Sequence, residues 1–149
     1  MGLFLSTFEN IVDRKGRISV PSQFRNVLQQ DDGGSVVLYE SPLNSCLEGC
    51  GLARLEELGR KIDNLDPLSE ERDALATVIL GGAVRLSLDG NGRIILPRNL
   101  ADFAKIGDRA TFVGKGQIFE LWNSELFSEH LARARIYIEK NRSVFRNAK

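Results

Sequence analysis

The segment Asp13-Arg14-Lys15-Gly16-Arg17-Ile18-Ser19-Val20-Pro21 returns without a gap as Asp89-Gly90-Asn91-Gly92-Arg93-Ile94-Ile95-Leu96-Pro97. A pattern carried twice is read as two diverged copies of one supersecondary unit, and this constrains every later assignment. The shared signature is Asp-x-x-Gly-Arg-Ile-x-aliphatic-Pro, followed by an apolar residue at Phe24 and Leu100. Downstream, Ser35-Val36-Val37-Leu38 answers to Thr111-Phe112-Val113, and Cys46-Leu47-Glu48 to Ile118-Phe119-Glu120.

Each copy has its own local physics. Phe8, Ile11 and Val12 precede the first motif, and Val84, Leu86 and Leu88 the second, in runs that read as strands. Asp13 with Gly16, and Asp89 with Gly92, supply turns: Asp can bond backbone groups two residues on, and Gly can adopt positive φ. Strands resume at Arg17–Val20 and Arg93–Leu96. Pro21 and Pro97 end them for want of an amide donor and suit a first helical position. Short helices are expected over roughly 21–30 and 97–105, broken by Gly33-Gly34 and by Gly107. A hairpin comes next, in the second copy Ala110–Val113, a Gly114-Lys115-Gly116 turn, and Gln117–Trp122. Leu3, Phe4 and Leu5 read as an opening strand, which outweighs the loose lipidation pattern of Met1-Gly2 with Ser6.

Between the copies, Leu52, Leu55, Leu58 and Ile62 recur at helical spacing until Pro67. Ser69 is a good N-cap for a second helical run carrying Ala74, Leu75, Val78 and Ile79. Asn123 to Lys149 reads as one longer helix with Leu126, Phe127, Leu131 and Ile138 inside. The expected organisation is a first module over residues 4–51, a helical connection over 52–80, a second module over 81–124, and a C-terminal helix and tail over 125–149.

At 149 residues, 42% apolar and 27% charged, the chain has an ordinary globular composition. No apolar run approaches the roughly 20 residues needed to span a bilayer, and the start lacks a basic leader, so the cytosol is the expected compartment. Net charge is zero but unevenly spread. Arg14, Lys15, Arg17 and Arg25 cluster near the first turn, and Arg133, Arg135, Lys140, Arg142, Arg146 and Lys149 near the end. The acids lie in the middle: Glu48, Glu56, Glu57, Asp63, Asp66, Glu70, Glu71 and Asp73. A fold that segregates these segments would have one basic and one acidic face and would orient on a polyanion.

Enzymatic readings fail on spacing. Gly114-Lys115-Gly116 lacks the Ser or Thr of a phosphate loop and sits between strands. Asp89-Gly90-Asn91-Gly92 opens like a calcium loop, but Ile94 and Leu100 stand where glycine and glutamate are needed. Cys46 and Cys50, with the single His130 far away, cannot make a four-ligand zinc site, and they read as apolar fillers or exposed thiols. His130 reads as a surface histidine. No nucleophile, base and orienter come together. The residues call for no cofactor and no metal.

What remains is an arginine at the same place in two equivalent turns. Arg17 and Arg93 carry a planar fork of donors suited to guanine O6 and N7 or to phosphate oxygens, and a short β element can enter the major groove. Arg14 and Lys15 add two cations to the first loop, where the second has Gly90 and Asn91. The competing reading pairs Arg17 with Asp13 and Arg93 with Asp89 purely to hold the turns. Spacing leaves both open, and both can hold at once. The basic tail reads first as a solvated helix face.

The two motifs, with Phe119-Glu120-Leu121-Trp122, resemble the MraZ family, bacterial transcription regulators with two tandem SpoVT-AbrB domains. The resemblance covers nearly the whole chain. It implies an α+β fold in which two AbrB-like swapped-hairpin modules form an intramolecular pseudo-dimeric β-barrel with flanking helices. It implies a cytoplasmic, nucleoid-associated homo-oligomer, a ring, that binds G-rich direct repeats in double-stranded promoter DNA upstream of the division and cell-wall gene cluster. DNA contact is then expected at Arg17 and Arg93, with Arg14 and Lys15 in the basic loop. A DNA-independent oligomeric scaffold and an AbrB-type antitoxin are the other readings. The antitoxin calls for a disordered tail after a single module, and ranks last because the module here is duplicated.

Overall fold

Most strand pairing runs between the two sequence copies. The computed structural model describes residues 2–148. In chain order the elements are β1 (Thr7–Ile11), β2 (Arg17–Ser19), α1 (Ser22–Gln29), a 3-10 turn (Asp32–Gly34), β3 (Val36–Glu40), β4 (Leu47–Cys50), α2 (Leu52–Asp63), and α3 (Glu70–Leu75), which runs into a π-helical turn (Ala76–Leu80). They continue as β5 (Val84–Leu86), β6 (Arg93–Ile95), α4 (Arg98–Ala104), β7 (Arg109–Gly114), β8 (Phe119–Trp122), α5 (Ser124–Lys140) and α6 (Ser143–Arg146).

Six strands form an antiparallel sheet in the order β1-β7-β8-β4-β3-β5, and β2 pairs with β6 in a separate ribbon. Exchanging each strand for its counterpart in the other copy returns the same sheet order reversed. The register obeys the same pseudo-two-fold. Leu47 faces Leu121 and Gly49 faces Phe119 about the central pair Glu48–Glu120. Arg17 faces Ile95 and Ser19 faces Arg93 about the central pair Ile18–Ile94. Only the hairpins β3–β4 and β7–β8 stay within one copy.

The strands do not close into one barrel. The ribbon strands are three residues long, and Pro21 and Pro97 come soon after with no amide to extend the ladder. A bridge between Val12 and Ile18 and a bond from Asn10 Nδ2 to the Ser19 carbonyl (2.7 Å) tie the ribbon to β1.

The main core lies between the sheet and the layer made by the ribbon, α1 and α4. Ile18, Val20, Phe24, Leu28, Ile94, Leu96 and Leu100 meet Leu38, Leu47, Phe112, Phe119 and Leu121 there. Phe24 is its hub, with ring centroids 5.2 Å from Phe4, 5.6 Å from Phe8, 6.0 Å from Phe112 and 5.2 Å from Phe119. A Cβ on Gly49 would fall 2.3 Å from Cζ of Phe119, so this strand glycine gives its cross-strand ring the space to lie flat. A second core covers the back of β3 and β4, where Val37, Tyr39 and Cys50 meet Leu52, Leu55, Leu58, Ile62 and Ile79 of the helical connection. On the back of β7 and β8, Trp122 packs on Phe127 and His130 of α5.

Several sequence expectations are corrected. Leu3–Leu5 form no strand; Phe4 alone bridges to Gly116, and Met1 lies outside the described residues. Pro21 and Pro97 cap α1 and α4 and are not their first residues. The left-handed residue after α4 is Lys105 (φ 58°), not Gly107; its carbonyl accepts from Asn123 Nδ2 at 2.7 Å. Strand pairing makes Leu38 the counterpart of Phe112, whereas the match by sequence sets Val36 against Phe112. The 3-10 turn with Gly33 and Gly34 at positive φ lengthens the first copy at that point and shifts the match by an even step, which keeps the buried face buried. The tail helix stops at Lys140, and Ile138 is exposed. Cys46 and Cys50 are both buried free thiols, and burial pushes Cys50 up to about 12. Ser69 does cap α3, accepting from the amide of Arg72 at 3.2 Å.

Phe24→Ala should remove the shared hub of the aromatic cluster and cost about 3–5 kcal/mol. Urea denaturation checks this as a fall in midpoint, with a second-copy probe such as Trp122 fluorescence falling together with the circular-dichroism signal.

Candidate nucleic-acid interface

The two turns are built alike, bond for bond. In the first, Asp13 Oδ1 accepts from the amides of Lys15 and Arg17, each at 2.9 Å, and Oδ2 accepts from Arg17 Nε at 2.6 Å. In the second, Asp89 Oδ1 accepts from the amides of Asn91 (2.8 Å) and Arg93 (3.0 Å), and Oδ2 from Arg93 Nε at 3.0 Å. Gly16 and Gly92 donate back to the Asp carbonyls, both at 3.0 Å, from positive φ of 82° and 74°. These two positions need glycine because the turn closes only through the left-handed region.

The turns also hold each other. The amide of Leu96 donates to the Gly16 carbonyl at 2.8 Å, and that of Val20 to the Gly92 carbonyl at 3.0 Å. The bonds from backbone amides, above all that of the arginine, hold both Asp carboxyls below the usual carboxylate range.

Alternation then decides what the ribbon presents. Ile18 and Ile94 point inward and are buried. Arg17, Ser19, Arg93 and Ile95 therefore share the outward face. The ion-pair reading of the sequence is seen directly, yet it uses only Nε of each arginine. Among the described residues, no bond is formed by the Nη amino groups of Arg17 or Arg93. Both side chains are about one-third exposed. Such an end-on fork, held from behind by a carboxylate, can give two donors to one acceptor pair. Arg14 and Lys15 stand exposed at the tip of the first turn.

Arg25 is a cation whose placement only the fold reveals. Its Nε donates to the Val20 carbonyl at 3.1 Å, and its guanidinium lies so close to Gly92 that a Cβ there would sit 2.6 Å from Nη1. A helix of the first copy thus brings a charge beside the second turn, where Gly90 and Asn91 carry none. The helix that leads into the basic tail, α5, starts on the back of the sheet, where Phe127 packs on Trp122. The acidic helices α2 and α3 are likewise on the back, through Leu55, Leu58, Ile62 and Leu75. The described residues hold no cluster of candidate metal ligands, and none of their helices is long and apolar enough to cross a membrane.

Known proteins resemble this chain along nearly all of it. It is 47% identical to "Transcriptional regulator MraZ" of Rickettsia akari (strain Hartford) over 148 residues, covering 99% of both chains. The protein of that name from Rickettsia bellii (strain OSU 85-389) matches equally, and that of Rickettsia typhi (strain ATCC VR-144 / Wilmington) is 46% identical over 147 residues. The chain belongs to the MraZ family. A family model described as "MraZ protein, putative antitoxin-like" matches residues 79–144, the second copy with most of α5. MraZ membership and the α+β architecture agree with the sequence reading, and the family is one of transcriptional regulators.

A carboxyl held low in the folded state adds stability that is fully present above the ordinary carboxylate range and is lost as pH falls through the folded value. Thermal unfolding between about pH 5 and 2 should therefore lose stability less steeply in Asp13→Asn/Asp89→Asn than in the wild type; equal slopes would show that these turns do not set the acid limit.

Proposed function

We propose that this MraZ-family chain is a sequence-specific DNA-binding transcription regulator that reads G-rich direct repeats in duplex promoter DNA. The observation that carries the reading is the outward face of the β2–β6 ribbon, where two arginine forks are oriented by Asp13 and Asp89 and their Nη groups form no bond among the described residues. Arg17 and Arg93 read guanine edges in the major groove. Arg14, Lys15 and Arg25 neutralise nearby phosphates. Asp13, Gly16, Asp89 and Gly92 build the turns and touch no DNA. The interleaved copies act as two swapped-hairpin modules joined in one chain.

One such face makes too few cationic contacts for tight binding at physiological salt. A homo-oligomeric ring, presenting several identical faces to tandem repeats, gains affinity through effective concentration. Exposed Ile136, Tyr137, Ile138, Val144 and Phe145 near the C-terminus are apolar surface that such an assembly can cover. The target lies upstream of the division and cell-wall gene cluster, and the protein is cytoplasmic and nucleoid-associated. The ion pairs also favour a second reading, in which the arginines only brace the turns of an oligomeric scaffold.

Fluorescence anisotropy on a duplex carrying such repeats from the gene's own promoter separates the two. Wild type should bind it in a salt-sensitive way and ignore a shuffled duplex. Folded Arg17→Ala should bind at least about fivefold more weakly, as expected when a bidentate base pairing worth about 1–3 kcal/mol is removed. Equal binding by both proteins would leave the scaffold reading standing.

A further inference from the structure

The outward ribbon face breaks its own symmetry at one position. Ile95 is 62% exposed, sits at one end of this otherwise polar face, and is the register partner of Arg17. Its counterpart in the first copy is Ser19, the register partner of Arg93. A lone exposed isoleucine is ordinary on a protein surface. This one differs in its place: it stands opposite the Asp13-held guanidinium of Arg17, on a strand whose next residue inward, Ile94, already fills the core.

We propose that Ile95 is a specificity-determining residue that packs against a thymine C5-methyl group beside the guanine read by Arg17. The inference rests on the DNA-reading role proposed above. Directly opposed side chains on a ribbon have Cβ atoms roughly 4.5–5.5 Å apart, between one and two base steps of about 3.4 Å along a strand. Arg17 and Ile95 therefore address neighbouring base pairs. In the major groove the thymine methyl is the one apolar feature that distinguishes base pairs, and an aliphatic side chain is its natural partner. Ser19, opposite Arg93, can give or accept a hydrogen bond with any base and supplies no such preference. The two halves of the face thus read unlike bases, and the chain has a direction along the duplex.

The test is to replace every thymine of the repeat duplex by deoxyuridine, which deletes the methyl and keeps the Watson–Crick pairing. Anisotropy would be measured for wild type, Ile95→Ser, Ile95→Val and Arg17→Ala, with circular dichroism for each variant. Wild type should bind the uracil duplex about fourfold more weakly for each methyl group that Ile95 covers. Ile95→Ser should bind both duplexes alike, at the weaker level. Ile95→Val, which keeps a β-branched aliphatic group, should retain part of the difference and decides the matter if the serine variant misfolds. A wild type blind to the methyl, or an Ile95→Ser protein that still senses it, would overturn the role of Ile95, while loss of binding in Arg17→Ala would show that the DNA reading itself survives. Binding that neither Arg17→Ala nor repeat sequence alters would overturn both.

Discussion

Two backbone hydrogen bonds exchanged between the turns, Leu96 to Gly16 and Val20 to Gly92, fix the part of the molecule on which the site depends. A ribbon of two such short strands has no stability of its own in water. It stands because each strand is clamped at the turn of the other, and because Ile18 and Ile94 are buried behind it. Neither copy could present its arginine in this way alone, since the partner strand and the clamping carbonyl both come from the other copy. The same dependence runs through the sheet, where β1 needs β7 and β5 needs β3. The main core therefore serves both halves.

Short-range chemistry is what the sequence makes legible. Asp, Gly and Arg at fixed offsets dictate a closed turn, and the hydrogen bonds of both turns obey that dictation. The short helices after Pro21 and Pro97 and the Ser69 cap are local in the same sense. The pairing partners are not legible, because a ladder between residues far apart in the chain leaves no mark in either segment. For that reason the division of the strands into a six-stranded sheet and a separate ribbon, and the even-numbered shift in β3, are invisible before the strands are paired. Lys105 shows another limit. It holds a left-handed backbone that favours glycine, stabilised by a bond to Asn123 that only the tertiary structure creates.

The candidate site divides along the same line. Arg14, Lys15, Arg17 and Arg93 can be picked out because they are cations in a repeated motif. Arg25 cannot be placed, because its meaning comes from Gly92 of the other copy. Ile95 escapes notice, because an isoleucine in a strand looks like core until the alternation is anchored on Ile94. Residues that depend on the fold for their chemistry are the ones that a motif search passes over.

Fusion of the two copies in one chain also lets the symmetry axis itself diverge. Glu48 and Glu120 oppose each other there, both buried, and a buried carboxyl needs hydrogen-bond partners. Each is satisfied by a different set of donors. Glu48 accepts from Tyr39 Oη (2.8 Å) and Ser41 Oγ (2.9 Å), whereas Glu120 accepts from Lys115 Nζ (3.1 Å) and Trp122 Nε1 (2.9 Å). A symmetric dimer of separate chains would have to place the same donors on both sides. Here one side places the ammonium of Lys115 beside its carboxylate and the other uses neutral hydroxyls, so the pair does not depend on two identical solutions. The front of the molecule has used the same freedom, with Arg14 and Lys15 against Gly90 and Asn91, and Ser19 against Ile95. A two-fold reader with equal halves matches palindromes. Unequal halves give each subunit an orientation on the duplex, and an oriented subunit repeated around a ring matches direct repeats. On the reading proposed here, the divergence between the copies is therefore part of how the target is recognised.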